Sequence, residues 1–391
     1  MNILFLLKSF GIGGVEVVTA VLANKFVAEG HNVVLWAFYE EKLSLSERLD
    51  KRIKLLYGNG YDASRTNVTL LRKVLIDNLV QVVINQWGLP IVPIRVLNKA
   101  THGLGIKVIS VYHNDPSANG RTKKIELMLE RSDSLLNRTL LKLKLCVFRQ
   151  ITSASMRYVY RKSDRFMVLS ESFITHFECF TGIKQHPKLI VQQNPITINT
   201  DNCDVDISAK SNEIVYVGRI NHYQKRISRV IETWALIENE HPEWCLKIVG
   251  DGEDRSAVEN LCTMLGLQRV YFEGFQRPIE YYKRASILML TSEYEGFGLV
   301  LVEGMSLGVI PVVYGSYSAV YDIIENGRNG LIIEAGSDGF HAELMANALV
   351  KIMSNNNLRH KLAKNAVSKS KNYSIADVFK QWTFILNSLC D

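Results

Sequence analysis

The feature that most constrains this chain is an alternation that runs through it twice. Short apolar runs of strand length, at residues 3–7, 33–38, 81–84, 108–112 and 166–169, are separated by longer amphipathic stretches such as 15–29 and 67–78. Strands joined by helical crossovers pair in parallel, so the pattern predicts a doubly wound sheet. The polar, aperiodic stretch 197–212 interrupts the alternation, which restarts with runs at 213–217, 246–249, 270–272, 287–290 and 310–313. The 391 residues suit two domains of about 150–200 each. The expected organisation is therefore α/β: a Rossmann-like domain over 1–196, a linker over 197–212 and a second Rossmann-like domain over 213–373. The segment 374–391 carries one amphipathic helix, at 375–389. In such sheets ligands bind beyond the carboxyl ends of the strands, so two of these ends facing each other would frame a cleft.

Chemistry is concentrated at strand ends. The longest signal runs Ser292-Glu-Tyr-Glu295-Gly-Phe-Gly298-Leu299, then Val-Leu-Val-Glu303-Gly304. It reads as a strand ending near Leu290, a loop relaxed by Gly296 and Gly298, and a helix from about Leu299. The amides of Phe297, Gly298 and Leu299 would then point out of a helix N-terminus, where an anion is favoured. Glu295 precedes the helix and Glu303 lies within it, placed to bind hydroxyls; the plain alternative is a capping Glu and a surface Glu. A second signal, Val217-Gly218-Arg219 with Lys225 six residues on, puts two cations after a strand end, where they would neutralise a diphosphate. Two weaker signals are Gly11-Ile-Gly13-Gly14 after the first strand and His113 just past another. The glycines do not match G-x-G-x-x-G, and a single His is often only a structural hydrogen-bonding group.

Taken together, the E-x7-E of Glu295 and Glu303, the V-G-R-x5-K of Arg219 and Lys225, the Gly13-Gly14 loop and the strand-terminal His113 resemble glycosyltransferase family 4, retaining enzymes of the GT-B fold. Ile248-Val-Gly-Asp-Gly252 and Val270-Tyr-Phe-Glu-Gly274 are similar to further family motifs, and Gly304 stands where the family usually has Ala. The resemblance implies roles by position. Arg219 and Lys225, after Gly218, would hold a donor diphosphate. Glu303 would bind the nucleotide ribose. Glu295, Gly296 and the amides of Phe297 to Leu299 would hold the donor sugar and phosphate. Gly13 and Gly14 would approach the diphosphate from the other domain, His113 would touch the transferred sugar, and Gly274 and Phe275 would lie near the base. The implied activity is transfer of a sugar from a nucleotide sugar, UDP being the commonest nucleotide, to a glycan or lipid-linked acceptor. No metal or other cofactor is expected. A nucleotide-sugar epimerase of the same build and a non-catalytic sugar-binding homologue remain as alternatives.

Charge is uneven. The chain carries +7, yet residues 121–165 alone hold 12 Lys and Arg against 4 Asp and Glu. One helix over 124–149 would align Lys124, Arg131, Arg138, Lys142 and Arg149 in a stripe, with Leu129, Leu136, Leu140, Leu143 and Val147 packed on the domain behind it. Such a face suits an anionic membrane surface or a lipid diphosphate rather than nucleic acid. The plain alternative is a solvated face. The triplet Asp204-Val-Asp206 spells D-x-D but falls in the linker rather than after a core strand, so it reads as chance. Six scattered cysteines without C-x-x-C pairs predict reduced thiols, and the short first apolar run reads as a strand rather than a leader. Without an 18-residue apolar run, a cytoplasmic protein is expected, peripheral at most on the inner membrane face.

Overall fold

Uninterrupted apolar runs become the buried strands of two parallel sheets in the computed structural model, which describes residues 1–130, 132–200, 205–336 and 338–390. The first sheet comprises β1 (Asn2–Leu7), β2 (Asn32–Ala37), β3 (Lys54–Tyr57), β4 (Val82–Asn85), β5 (Lys107–Val111), β6 (Arg165–Val168) and β7 (Leu189–Val191), in the order β3-β2-β1-β4-β5-β6-β7. Its centre is set by β1, whose Ile3 pairs with Val33 on one side and Val82 on the other. The second comprises β8 (Ser211–Val217), β9 (Cys245–Val249), β10 (Val270–Gly274), β11 (Ala285–Leu290), β12 (Ile310–Gly315) and β13 (Leu331–Glu334), in the order β10-β9-β8-β11-β12-β13. Helices supply the crossovers, and central strands such as β11 are buried along their whole length.

Three strands have no counterpart in the apolar pattern: β3, β7 and β13. Each is three or four residues long, lies at a sheet edge and is only partly buried. Each carries a run of only three apolar residues, at 55–57, 189–191 and 331–333, which is short for a strand signal.

Contacts divide the chain into one unit of residues 1–197 with 375–391 and a second of residues 198–374. The helix Ile375–Cys390 thus belongs with the first unit. It packs on the helix Gly14–Ala28, with the rings of Phe379 and Trp382 lying 5.0 and 6.1 Å from that of Phe26. Gln381 also accepts a 3.0 Å bond from Gln192. The polar stretch before β8 is partly structured: Asp206 accepts from the amide and hydroxyl of Ser208, capping the turn Ile207–Ala209. Asp204 and Cys203 lie outside the described residues.

The basic segment departs from expectation. It forms two helices, Gly120–Glu130 and Leu135–Lys162, rather than one over 124–149. The cause is Ser134, whose side chain accepts from the Asn137 amide and so starts a new helix. Lys124 is therefore not in line with Arg138, Lys142 and Arg149, and Arg131 lies outside the described residues. Arg138 turns back to donate to the carbonyls of Leu129 and Ser132 at the end of the first helix. The leucines expected to pack inward face out instead: Leu136, Leu140 and Leu143 are 78, 62 and 64% exposed, and Leu135, Val147 and Ile151 are exposed as well. No helix among the described residues is long and apolar enough to cross a membrane.

Candidate active site

In the second sheet the strand order reverses between β8 and β11, and the loops after these two strands carry the predicted cations and carboxylates. Two glycine contacts shape the floor. At Gly250 (φ 145°) a Cβ would lie 1.9 Å from the Gly218 carbonyl oxygen, and at Gly252 one would lie 2.1 Å from that of Ile220. The loops after β8 and β9 therefore run backbone against backbone, joined by bonds from Gly218 to Val249 and from Ile220 to Asp251. The amide of Gly250 in turn bonds the carbonyl of Gly274, so the β10 loop is fixed to the same floor, with Phe275 71% exposed beyond it.

The loop after β8 is stitched to the loop after β11. The amide of Glu293 donates to Gln224, the side chain of Gln224 to Tyr294, and the hydroxyl of Thr291 to Lys225 and Arg226. Glu293 pairs with Arg226 and Arg229 at 3.4 and 3.0 Å. This clamp brings Lys225 to Glu295: Nζ lies 2.5 Å from Oε1, and both side chains are largely buried. The sequence placed these residues in separate roles; folding makes them partners. Arg219 is exposed and makes no ion pair within 4 Å among the described residues.

Gly298 adopts φ 92°, a left-handed conformation that suits glycine, and caps the helix Leu299–Ser306. Within its first turn the amide of Leu301 donates to the Gly298 carbonyl. Phe297 is buried, its ring 5.6 Å from Tyr373, while Gly296 is partly exposed. Glu303 is buried one turn into the helix. Burial and the nearby Glu303 charge push the Tyr282 hydroxyl well above its ordinary range, and burial and Glu295 do the same to Tyr216 and Tyr317. Both carboxylates thus sit among buried phenols, a feature no local motif announces. At Gly304 a Cβ would meet Val309 and Tyr282 at 3.5 Å or more, ordinary contact distance.

In the first unit Gly13 precedes, and Gly14 begins, the helix after β1. The ring of His113 lies 2.6 Å from Gln86 Oε1, and burial pushes its pKa down to about 4, so the imidazole is neutral at pH 7. Gln86 follows β4 and His113 follows β5, which places both at the carboxyl end of the first sheet. Among the described residues no cluster of three or more His, Cys, Asp or Glu is placed to hold a metal ion.

Two doubly wound units within one chain form the GT-B architecture. The structure superposes on Anabaena Alr3699/HepE in complex with UDP and glucose at a TM-score of 0.74 and 18% identity, covering 99% of this chain and 100% of that one. The profile for Glycosyltransferase Family 4 matches residues 12–197 and that for Glycosyl transferases group 1 matches residues 199–369. The chain belongs to glycosyltransferase family 4. It is 28% identical over 195 residues to an uncharacterized glycosyltransferase of Haemophilus influenzae, a match covering 49% of this chain and 53% of that protein. It is 26% identical over 227 residues to a Campylobacter jejuni alpha-1,4-N-acetyl-D-galactosaminyltransferase whose name specifies a diNAcBac-PP-undecaprenol-linked acceptor, covering 58% and 60%. The chain spans about half the length of the curated relatives it matches.

Proposed function

We propose that this chain is a retaining, metal-independent glycosyltransferase that moves a sugar from a UDP-sugar to a glycan or lipid-diphosphate-linked acceptor. The observation that carries the reading is the buried Lys225–Glu295 pair, held at the strand-order reversal just before the helix Leu299–Ser306. Arriving donor would draw Lys225, with Arg219, onto its diphosphate, where cations stabilise a departing negative charge without a metal. Glu295 would then be free to accept from a sugar hydroxyl. The helix amides from Phe297 to Leu299 would take a phosphate, Glu303 the ribose, and Phe275 beside Gly274 the base.

Retention is the course that the family resemblance implies, and a front-face reaction suits a site in which Glu295 accepts from a sugar hydroxyl and no carboxylate is given the nucleophile's role. In the front-face reaction the acceptor oxygen bonds the anomeric carbon on the face that the diphosphate leaves. The carbon–oxygen bond to the phosphate breaks, and the acceptor proton passes to the departing phosphate oxygen. The name of the Campylobacter relative specifies an alpha linkage, the stereochemistry such a reaction would give from an alpha-linked donor, and UDP with glucose is the pair in the Anabaena complex.

The exposed apolar and basic start of the helix Leu135–Lys162 would hold the protein on an anionic membrane, at the cytoplasmic face where nucleotide sugars are made. The decisive experiment supplies purified protein with a panel of nucleotide sugars and acceptors and measures nucleoside diphosphate release, with and without chelator. Acceptor-dependent release from a UDP-sugar, unaffected by chelator, is expected. An isomerised nucleotide sugar formed without acceptor would instead mark an epimerase, and abolition by chelator would overturn the metal-free reading.

A further inference from the structure

The carboxyl end of the first sheet holds a second cationic site. Its strand order reverses between β1 and β4, the position at which open parallel sheets bind ligands. Lys8, the residue after β1, projects its ammonium among three aromatic rings, lying 5.8 Å from the ring centre of Tyr39, 5.6 Å from Tyr61 and 5.6 Å from Trp87. Tyr39 follows β2, Tyr61 follows β3 and Trp87 follows β4, so four adjacent strands each contribute one residue.

The cage is braced from behind. The ring of Tyr61 packs edge-on against Phe38 at 5.1 Å, and Phe38 against Trp36 at 4.8 Å. Trp87 is fixed by Asn85, whose side chain bonds both its amide and its carbonyl, and by Gly88, where a Cβ would lie 2.5 Å from the Val111 carbonyl oxygen. Burial pushes the Tyr61 hydroxyl up to about 12, so it remains a neutral donor.

Two observations say what the cage lacks. Among the described residues no carboxylate lies within 4 Å of the Lys8 ammonium, whose neighbours are ring faces. The buried Nε1 of Trp87 has no acceptor among the described residues, an open donor of the kind a ligand oxygen closes. Aromatic faces take the C–H face of a sugar ring, and a cation without a counter-ion takes an acid. We infer that Lys8, Tyr39, Tyr61 and Trp87 form an acceptor subsite for an acidic sugar, one that bears a carboxylate or phosphate. This rests on the glycosyltransferase reading and narrows its acceptor class.

The full chain, isotope-labelled and saturated with UDP, is titrated by NMR with methyl glucuronide, methyl glucoside and methyl glucose 6-phosphate. At least one acidic sugar should bind about tenfold or more tightly than the glucoside, a margin that shrinks as salt rises. The carboxylate and phosphate arms identify which acid is preferred. Lys8→Met should abolish the margin, Lys8→Arg should keep most of it, and Trp87→Leu should weaken all three sugars. Equal affinities for acidic and neutral sugars, no binding of any, or a margin unchanged in Lys8→Met would overturn the assignment. UDP binding is read separately. Its retention in Lys8→Met shows an intact fold, and its absence in the wild-type chain would sink the glycosyltransferase reading while leaving a direct sugar titration without UDP to decide the cage.

Discussion

Lys225 and Arg219 carry the same charge and follow the same strand, yet their substitutions should differ. Each should lower turnover by about 100-fold, the scale for loss of one stabiliser of transition-state charge. Lys225→Met also strands the buried Glu295 carboxylate, so it should cost about 3 kcal/mol of stability, whereas exposed Arg219→Ala should cost almost none. The double variant Lys225→Met with Glu295→Gln should regain most of the stability and none of the turnover. Urea midpoints beside turnover numbers test this, and equal stability of the two single variants would refute the pairing. Gly304 offers the opposite case. It sits in a helix interior with room for a methyl group, so Gly304→Ala should stabilise by about 0.5–1 kcal/mol and leave donor affinity unchanged. A lower melting temperature would show that the space is smaller than the geometry indicates. His113 predicts a pH effect. Its folded-state pKa of about 4 lies below the ordinary His value near 6.5, so its contribution is full above 6.5 and is lost as pH falls toward 4. Between pH 7 and 4.5 the wild type should lose about 2 kcal/mol more than His113→Gln; identical losses would mean that the ring is not held neutral.

Among the elements, how legible each was in the sequence followed from how completely it is buried. Central strands such as β1 and β11 are covered on both faces and announce themselves as unbroken apolar runs. The edge strands β3, β7 and β13 do not, because each offers only three consecutive apolar residues and is only partly buried. Site residues within one motif, from Glu295 to Glu303, were legible together. The clamp of Glu293 on Arg226 and Arg229 was not, nor the ring cage around Lys8, because each joins loops that only sheet order makes neighbours. The break at Ser134 was missed because one capping hydroxyl outweighs a helical pattern that otherwise continues through it. That break leaves a helix start with apolar side chains in water and Lys142, Lys144 and Arg149 beside them. Vesicle flotation should show binding to anionic but not neutral lipid, weakening as salt rises. It should be lost in a variant with these three cations changed to Glu, and binding that survives the change would refute this orientation on the membrane.

For the whole molecule, the two units should differ in their dependence on the chain's last helix. Trp382 is buried against the helix Gly14–Ala28, so Trp382→Ala should destabilise the first unit by about 3–5 kcal/mol. Nucleotide binding, which the proposed site places in the second unit, should persist. Hydrogen exchange resolves the two: faster exchange in β1–β7 with unchanged protection in β8–β13 is expected, and uniform loss would mean that the units unfold as one.

The return of the helix Ile375–Cys390 to the first unit also sets an order of events on the ribosome. The second unit has all its strands and helices once Ser374 has emerged, but the first, though translated earlier, still lacks the helix that covers Phe26. The half of the protein that is made first is therefore finished last. Chains stalled on an added linker, with Ser374 outside the exit tunnel and Ile375–Cys390 still within it, should resist protease in the second unit while the first remains open to cleavage, and a chaperone that shields unfinished apolar surface should bind mainly near the amino terminus.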